Sequence, residues 1–113
     1  MLPEMDRERL LHILDSGRQI SEFINAISEE EFLKNVLIQH GVTHCLYIIG
    51  EAASRVSEMT QNNYPEIEWD VIRGMRNRLA HAYFDINLHI IWITATIDTP
   101  ELMERVLKLL SSN

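Results

Sequence analysis

Between Trp69 and Phe84 the chain reads WDVIRGMRNRLAHAYF, and three side chains able to do chemistry stand close together there: Arg76, Asn77 and His81. These types suit cleavage of a phosphodiester without a metal. A histidine near its neutral pKa can take the proton of a 2′-hydroxyl or give one to the leaving oxygen. A guanidinium can hold the phosphate by paired hydrogen bonds and stabilise the charge that develops on it. Asn77 can orient the histidine or the phosphate. The same types also have a plain use, since basic residues in the last turn of a helix complement its dipole. An Arg-x4-His pair alone recurs by chance in many helices.

The element that carries these residues is expected to be a helix over about 66–80, starting after Pro65, which cannot lie inside one. At roughly 100° per residue, Arg73, Asn77 and His81 stack on a polar line opposite Met75 and Leu79, with Arg76 at the border of the core. The set could meet one small ligand near the helix C-terminus, most easily if the last turn unwinds at Ala82.

The rest of the chain reads as helix too. Only four glycines and three prolines interrupt it, and no Asn-Gly or Asp-Gly hairpin signal occurs. A first helix is expected over about 5–27, with Leu10, Ile13, Leu14, Ile20, Phe23, Ile24 and Ile27 on one stripe. Ser28 to Glu31 reads as a capping box opening a long second helix over about 29–60. Gly41 and Gly50 lie inside that helix, and Gly50 beside Ala52 and Ala53 suggests close packing. A fourth helix should start near Leu88 with Asp85 or Asn87 as cap, and Thr99-Pro100 marks a kink or restart. The fold class expected is all-α, an up-and-down antiparallel bundle of four to five helices forming one domain over residues 1–113.

Ten basic and 17 acidic residues leave a net charge of −7, so bulk charge does not make this a nucleic-acid binder. Any RNA contact must be local, and Arg73, Arg76 and Arg78 are the cluster on offer. One cysteine, Cys45, excludes an intrachain disulfide, and no Cys/His spacing suggests zinc. No metal and no cofactor are expected. The acidic start and the lack of a long apolar run point to a cytoplasmic protein with no membrane partner.

The string GMRNRLAHAYF, Gly74 to Phe84, resembles the signature of HepT-like proteins of the HEPN superfamily. IGEAASR, Ile49 to Arg55, is similar to the family's second block. PEIEW (Pro65–Trp69), IIW (Ile90–Trp92) and LLHIL (Leu10–Leu14) are similar to its remaining segments, so the resemblance runs along nearly the whole chain. It implies a helical bundle that forms a homodimer and places two motif copies beside a shared cleft. It implies an endoribonuclease toxin of a toxin–antitoxin pair, acting on RNA through Arg76 and His81, with Asn77 as the polar residue after the arginine. It implies a cognate MntA-like nucleotidyltransferase as antitoxin, which silences the toxin by attaching AMP to Tyr83. Ala82 departs from the pattern, because relatives often carry glycine there.

Glu51 and Arg55 read either as an i,i+4 pair or as lining of the cleft, and Arg73 as a possible RNA contact. His12, His40, His44 and His89 read as structural or surface residues, Cys45 as a small buried side chain, and Trp69 and Trp92 as core or interface. The excess of apolar positions on the second and fourth helices also suggests a homodimer. The competing function is a non-catalytic subunit that binds nucleotide or protein and docks onto a small nucleotidyltransferase.

Overall fold

A computed structural model of the chain describes residues 1–81 and 86–113. Ala82, Tyr83, Phe84 and Asp85 lie outside the described residues. With them go three expectations: the unwinding at Ala82, Tyr83 as AMP acceptor and Asp85 as a cap.

The described residues form an all-α bundle, and none of them is in a strand. Helix α1 spans Glu4–Ile24, α2 Glu29–Leu33, α3 Val36–Ser54, α4 Glu58–Asn63, α5 Trp69–His81, α6 Leu88–Ile93 and α7 Thr99–Ser111. A π-helical turn, Thr94–Asp98, joins the last two. Helix α1 packs on α3 and α7, and α3 packs on α5. Between them lies one core that includes Leu10, Ile13, Ile20, Phe32, Val42, Leu46, Ile49, Ile67 and Val106. Gly17 lets α7 approach α1, since a Cβ there would stand 2.5 Å from the Met103 sulfur. Among the described residues, no helix is long and apolar enough to cross a membrane.

The first helix stops at Ile24 rather than at residue 27. Asn25 leaves the helical region at ψ 124° and Ala26 follows at φ 60°, a tight turn closed by the Ile27 amide donating to the Ile24 carbonyl at 3.3 Å. The capping box at Ser28 is present as expected: the Glu31 amide donates to Ser28 Oγ, and the Ser28 amide donates to Glu31 Oε1, both at 3.1 Å.

The long second helix expected over 29–60 is instead three helices. Asn35 caps α3 through its side chain, accepting from the Ile38 amide at 3.0 Å, and Ser57 caps α4, accepting from the Thr60 amide at 3.3 Å. Both are residues whose short polar side chains compete with backbone hydrogen bonding. The second break is also tied down from a distance. Asp6, buried on α1, accepts from the Ser57 amide at 2.9 Å and from the Ser57 and Thr60 hydroxyls at 2.6 Å each. Burial alone would raise the Asp6 pKa, but these hydrogen bonds outweigh it and hold the carboxyl below its ordinary value.

Helix α5 begins at Trp69, three residues after the expected start, because Pro65–Glu68 forms a turn; the Trp69 indole N–H donates to the Tyr64 carbonyl at 3.0 Å. Asn87 caps α6, accepting from the His89 and Ile90 amides. Thr99 does not cap α7; its hydroxyl donates to the Thr94 carbonyl at 2.8 Å. The irregularity expected at Thr99-Pro100 appears instead as the π turn before it. Pro100, at the start of α7, has no N–H to continue the ladder, and the wider turn accommodates it. The Phe32 and Trp92 rings meet at 5.3 Å, and Glu29 bonds His89 at 2.5 Å, fixing α2 against α6. Trp69 is buried and Trp92 half-buried, as their reading as core or interface requires.

Candidate active site

Helix α5 is positioned by a glycine. A Cβ built on Gly50 would stand 2.4 Å from Arg76 Cβ, 2.8 Å from Arg76 Cγ and 3.3 Å from Arg76 Cα. The two helices therefore touch at this point, and the arginine leaves α5 directly over α3. Close packing at Gly50 was the sequence-based expectation, and Arg76 is the residue that uses the space.

The Arg76 side chain, 26% exposed, is held from two directions. Glu51 Oε1 accepts from Nη1 at 2.5 Å, and Asn77 Oδ1 accepts from Nε at 3.0 Å. Arg55 approaches the other Glu51 oxygen at 3.8 Å. Glu51 thus makes the i,i+4 pair with Arg55 that the sequence offered, and it also contacts Arg76 from the neighbouring helix. A half-buried guanidinium fixed at two nitrogens has lost most of its rotamer freedom before any ligand arrives, so it would lose less entropy on taking an anion.

Asn77 orients the arginine, where the sequence suggested the histidine or the phosphate as its partner. His81 is exposed in the last residue of α5. The helix persists through His81, so Arg76 and His81 leave its axis roughly 140° apart. The arginine faces α3, and the histidine faces outward.

Arg73 is engaged elsewhere: its Nη1 donates to the Gln61 amide oxygen Oε1 at 2.7 Å, and it pairs with Asp70. Arg78 is exposed and borders an apolar groove between α5, α6 and α7. That groove, about 430 Å3 in volume, is lined by Val71, Ile72, Met75, Ile90 and Leu102 among others, and neither Arg76 nor His81 lines it. Among the described residues, no three His, Cys, Asp or Glu side chains come together as metal ligands would. Cys45 is buried, and burial together with the nearby Asp15 charge raises its thiol pKa. His12, His44 and His89 lie on three different helices.

Residues 13–109 match the family described as Ribonuclease HepT-like. The "Probable ribonuclease HepT" of Thermococcus cleftensis is 34% identical over 103 residues, 91% of this chain and 94% of its own length. A "Putative RNase" of Caldanaerobacter subterraneus is 35% identical over 104 residues, 92% of this chain and 93% of its own. A "Putative RNase" of Methanocaldococcus jannaschii is 32% identical over 110 residues, covering 96% and 91%. The chain belongs to the Ribonuclease HepT-like family. No solved structure matches it.

Proposed function

We propose that this protein is an endoribonuclease that cleaves RNA without a metal, with Arg76 holding the scissile phosphate and His81 moving the proton. The observation that carries this reading is the fixed Arg76 guanidinium, seated over Gly50 and gripped by Glu51 and Asn77. A salt bridge serving stability alone has no need of the second grip from Asn77, nor of a glycine beneath it. In the proposed reaction, His81 takes the proton of a 2′-hydroxyl, the oxygen attacks phosphorus, and Arg76 stabilises the charge on the phosphoryl oxygens. The 5′-oxygen takes a proton from solvent as it leaves, giving a 2′,3′-cyclic phosphate and a 5′-hydroxyl, and the protonated His81 returns its proton to water.

The 140° divergence of Arg76 and His81 favours a homodimer in which two copies of α5 close one cleft. Val71 and Ile90, which line the apolar groove, and Ile93 and Ile97 are exposed, and support the same assembly. A monomer by light scattering at micromolar concentration would contradict it.

The biological role proposed is that of a toxin whose partner is a small MntA-like nucleotidyltransferase. AMP attached to Tyr83, two residues beyond His81, would add a phosphodiester anion and a purine beside the site, competing with RNA for Arg76. Intact-mass analysis after co-expression with the nucleotidyltransferase should show AMP adducts that vanish in Tyr83→Phe; inhibition without an adduct would replace modification by binding. The acidic net charge favours the second reading, a docking subunit without catalysis. The deciding experiment is cleavage of RNA by purified protein. Arg76→Ala and His81→Ala should each abolish it with helical circular dichroism unchanged, and full activity in either refutes the assignment.

A further inference from the structure

Three guanidiniums gather where α3 ends. Arg76 reaches that end from α5, and Glu51 Oε1 accepts from its Nη1 at 2.5 Å. Arg73 reaches it through Gln61, whose Oε1 accepts from Arg73 Nη1 at 2.7 Å while its Nε2 donates to the Val56 carbonyl at 2.9 Å. Arg55 is the residue that caps the C-terminus of α3. In a chain of net charge −7 this is a local concentration of positive charge.

The three are not held alike. Arg73 is also paired with Asp70, and Arg76 with Asn77. Arg55 stands 3.8 Å from Glu51 Oε2, beyond hydrogen-bond distance, and its side chain is 61% exposed. Its guanidinium keeps its donors for a ligand. Glu51 lies between Arg55 and Arg76, one carboxylate oxygen toward each. Arg55 follows Glu51 by one turn, about 6 Å along α3.

We infer that Arg55 is a second phosphate subsite, holding the RNA phosphate next to the one that Arg76 holds. The inference rests on the nuclease reading above. A nucleic-acid strand carries one negative charge per nucleotide, so an anion seated on Arg76 brings another anion one nucleotide away. Two features favour adjacent phosphates over one phosphate shared by both arginines. The Glu51 carboxylate stands between the guanidiniums, and its charge repels an anion placed there. Arg55 is also offset by a helical turn, so a strand passing the end of α3 meets the two arginines in succession. A guanidinium takes a phosphate by charge-assisted, often paired hydrogen bonds. Such a contact supplies affinity that an acidic protein does not obtain from bulk charge.

The test uses the full chain and a short single-stranded RNA whose cut position has been mapped with wild type. Arg55→Gln should raise KM about tenfold with kcat little changed. The rise of log KM with log salt should become shallower by about 0.7, the share of one phosphate contact on a single strand. Arg55→Lys keeps the charge and should recover most of that slope. Lys34→Gln, on the exposed C-terminal cap of α2 before the opposite end of α3, removes the same charge from the protein and should change neither quantity. The phosphate itself is located by making the linkage on one side of the cut, then on the other, a neutral methylphosphonate. One of the two should cost wild type about as much as Arg55→Gln does, and Arg55→Gln should cleave that RNA and the unmodified one alike. If wild type cleaves RNA and Arg55→Gln keeps its KM and salt slope, the subsite is overturned and the nuclease reading stands. Indifference of wild type to both neutral linkages overturns it too. So does an Arg55→Gln variant that loses only thermal stability or only kcat, since Arg55 would then serve the helix end or the chemistry. If wild type cleaves no RNA, the nuclease reading has failed and the subsite falls with it.

Discussion

Gly50→Ala should disable the proposed active site while leaving the fold nearly intact. The added Cβ would lie 2.4 Å from Arg76 Cβ and 3.3 Å from Arg76 Cα. Neither atom can swing aside as the end of a flexible side chain can, because both are fixed to the α5 backbone. Carbon atoms in contact sit about 3.5–4.0 Å apart, so α5 must move by roughly 1 Å. Overpacking of this kind costs about 1–3 kcal/mol. Alanine returns about 1 kcal/mol through its helix propensity, leaving a net loss of roughly 0–2 kcal/mol. For a chain of 113 residues each 1 kcal/mol shifts Tm by about 4 °C, so the fall should stay below about 8 °C. Activity should suffer far more, since a catalytic group misplaced by about 1 Å can lose on the order of 100-fold in rate. The assay is kcat/KM on a fluorogenic RNA beside a thermal melt. The control is Gly74→Ala in the same helix, where an added Cβ meets nothing within 4 Å and Tm should hold or rise. A Gly50→Ala variant within about twofold of wild-type kcat/KM would refute the argument that this helix contact positions Arg76.

Two further outcomes follow from polar contacts. Glu51→Gln removes the charge that grips Arg76, so the guanidinium should bind phosphate more readily but in a looser pose: KM for RNA and kcat should both fall, and an unchanged kcat would remove Glu51 from the site. Asp6, whose folded pKa is depressed by its hydrogen bonds to Ser57 and Thr60, contributes stability that is full above its unfolded pKa of about 4 and is lost as pH falls through the folded pKa. Asp6→Asn should therefore lower Tm at pH 7 and flatten the loss of stability below about pH 4; parallel acid limbs in the two proteins would rule this out.

The helical class, the Ser28 box and the Asn87 cap were legible because each is local, a period or a side chain reaching its own backbone. The breaks at Asn35 and Ser57 were hidden by an unbroken apolar rhythm, and the second also depends on Asp6, 51 residues before the serine it holds. The site divided in the same way. Arg76, Asn77 and His81 stand out as a string, and Gly50 could be suspected from the small residues after it. Which partner takes which side chain could not be read, because Glu51 meets Arg76 across 25 residues of chain.

The central claim is metal-free cleavage by Arg76 and His81, and the chemistry of the product ends tests it most directly. Purified protein should cut a defined single-stranded RNA in excess EDTA, leaving a 2′,3′-cyclic phosphate on one fragment and a 5′-hydroxyl on the other, with both ends absent from His81→Ala. Cleavage that needs added magnesium, leaves a 5′-phosphate, or survives His81→Ala at full rate would contradict the account.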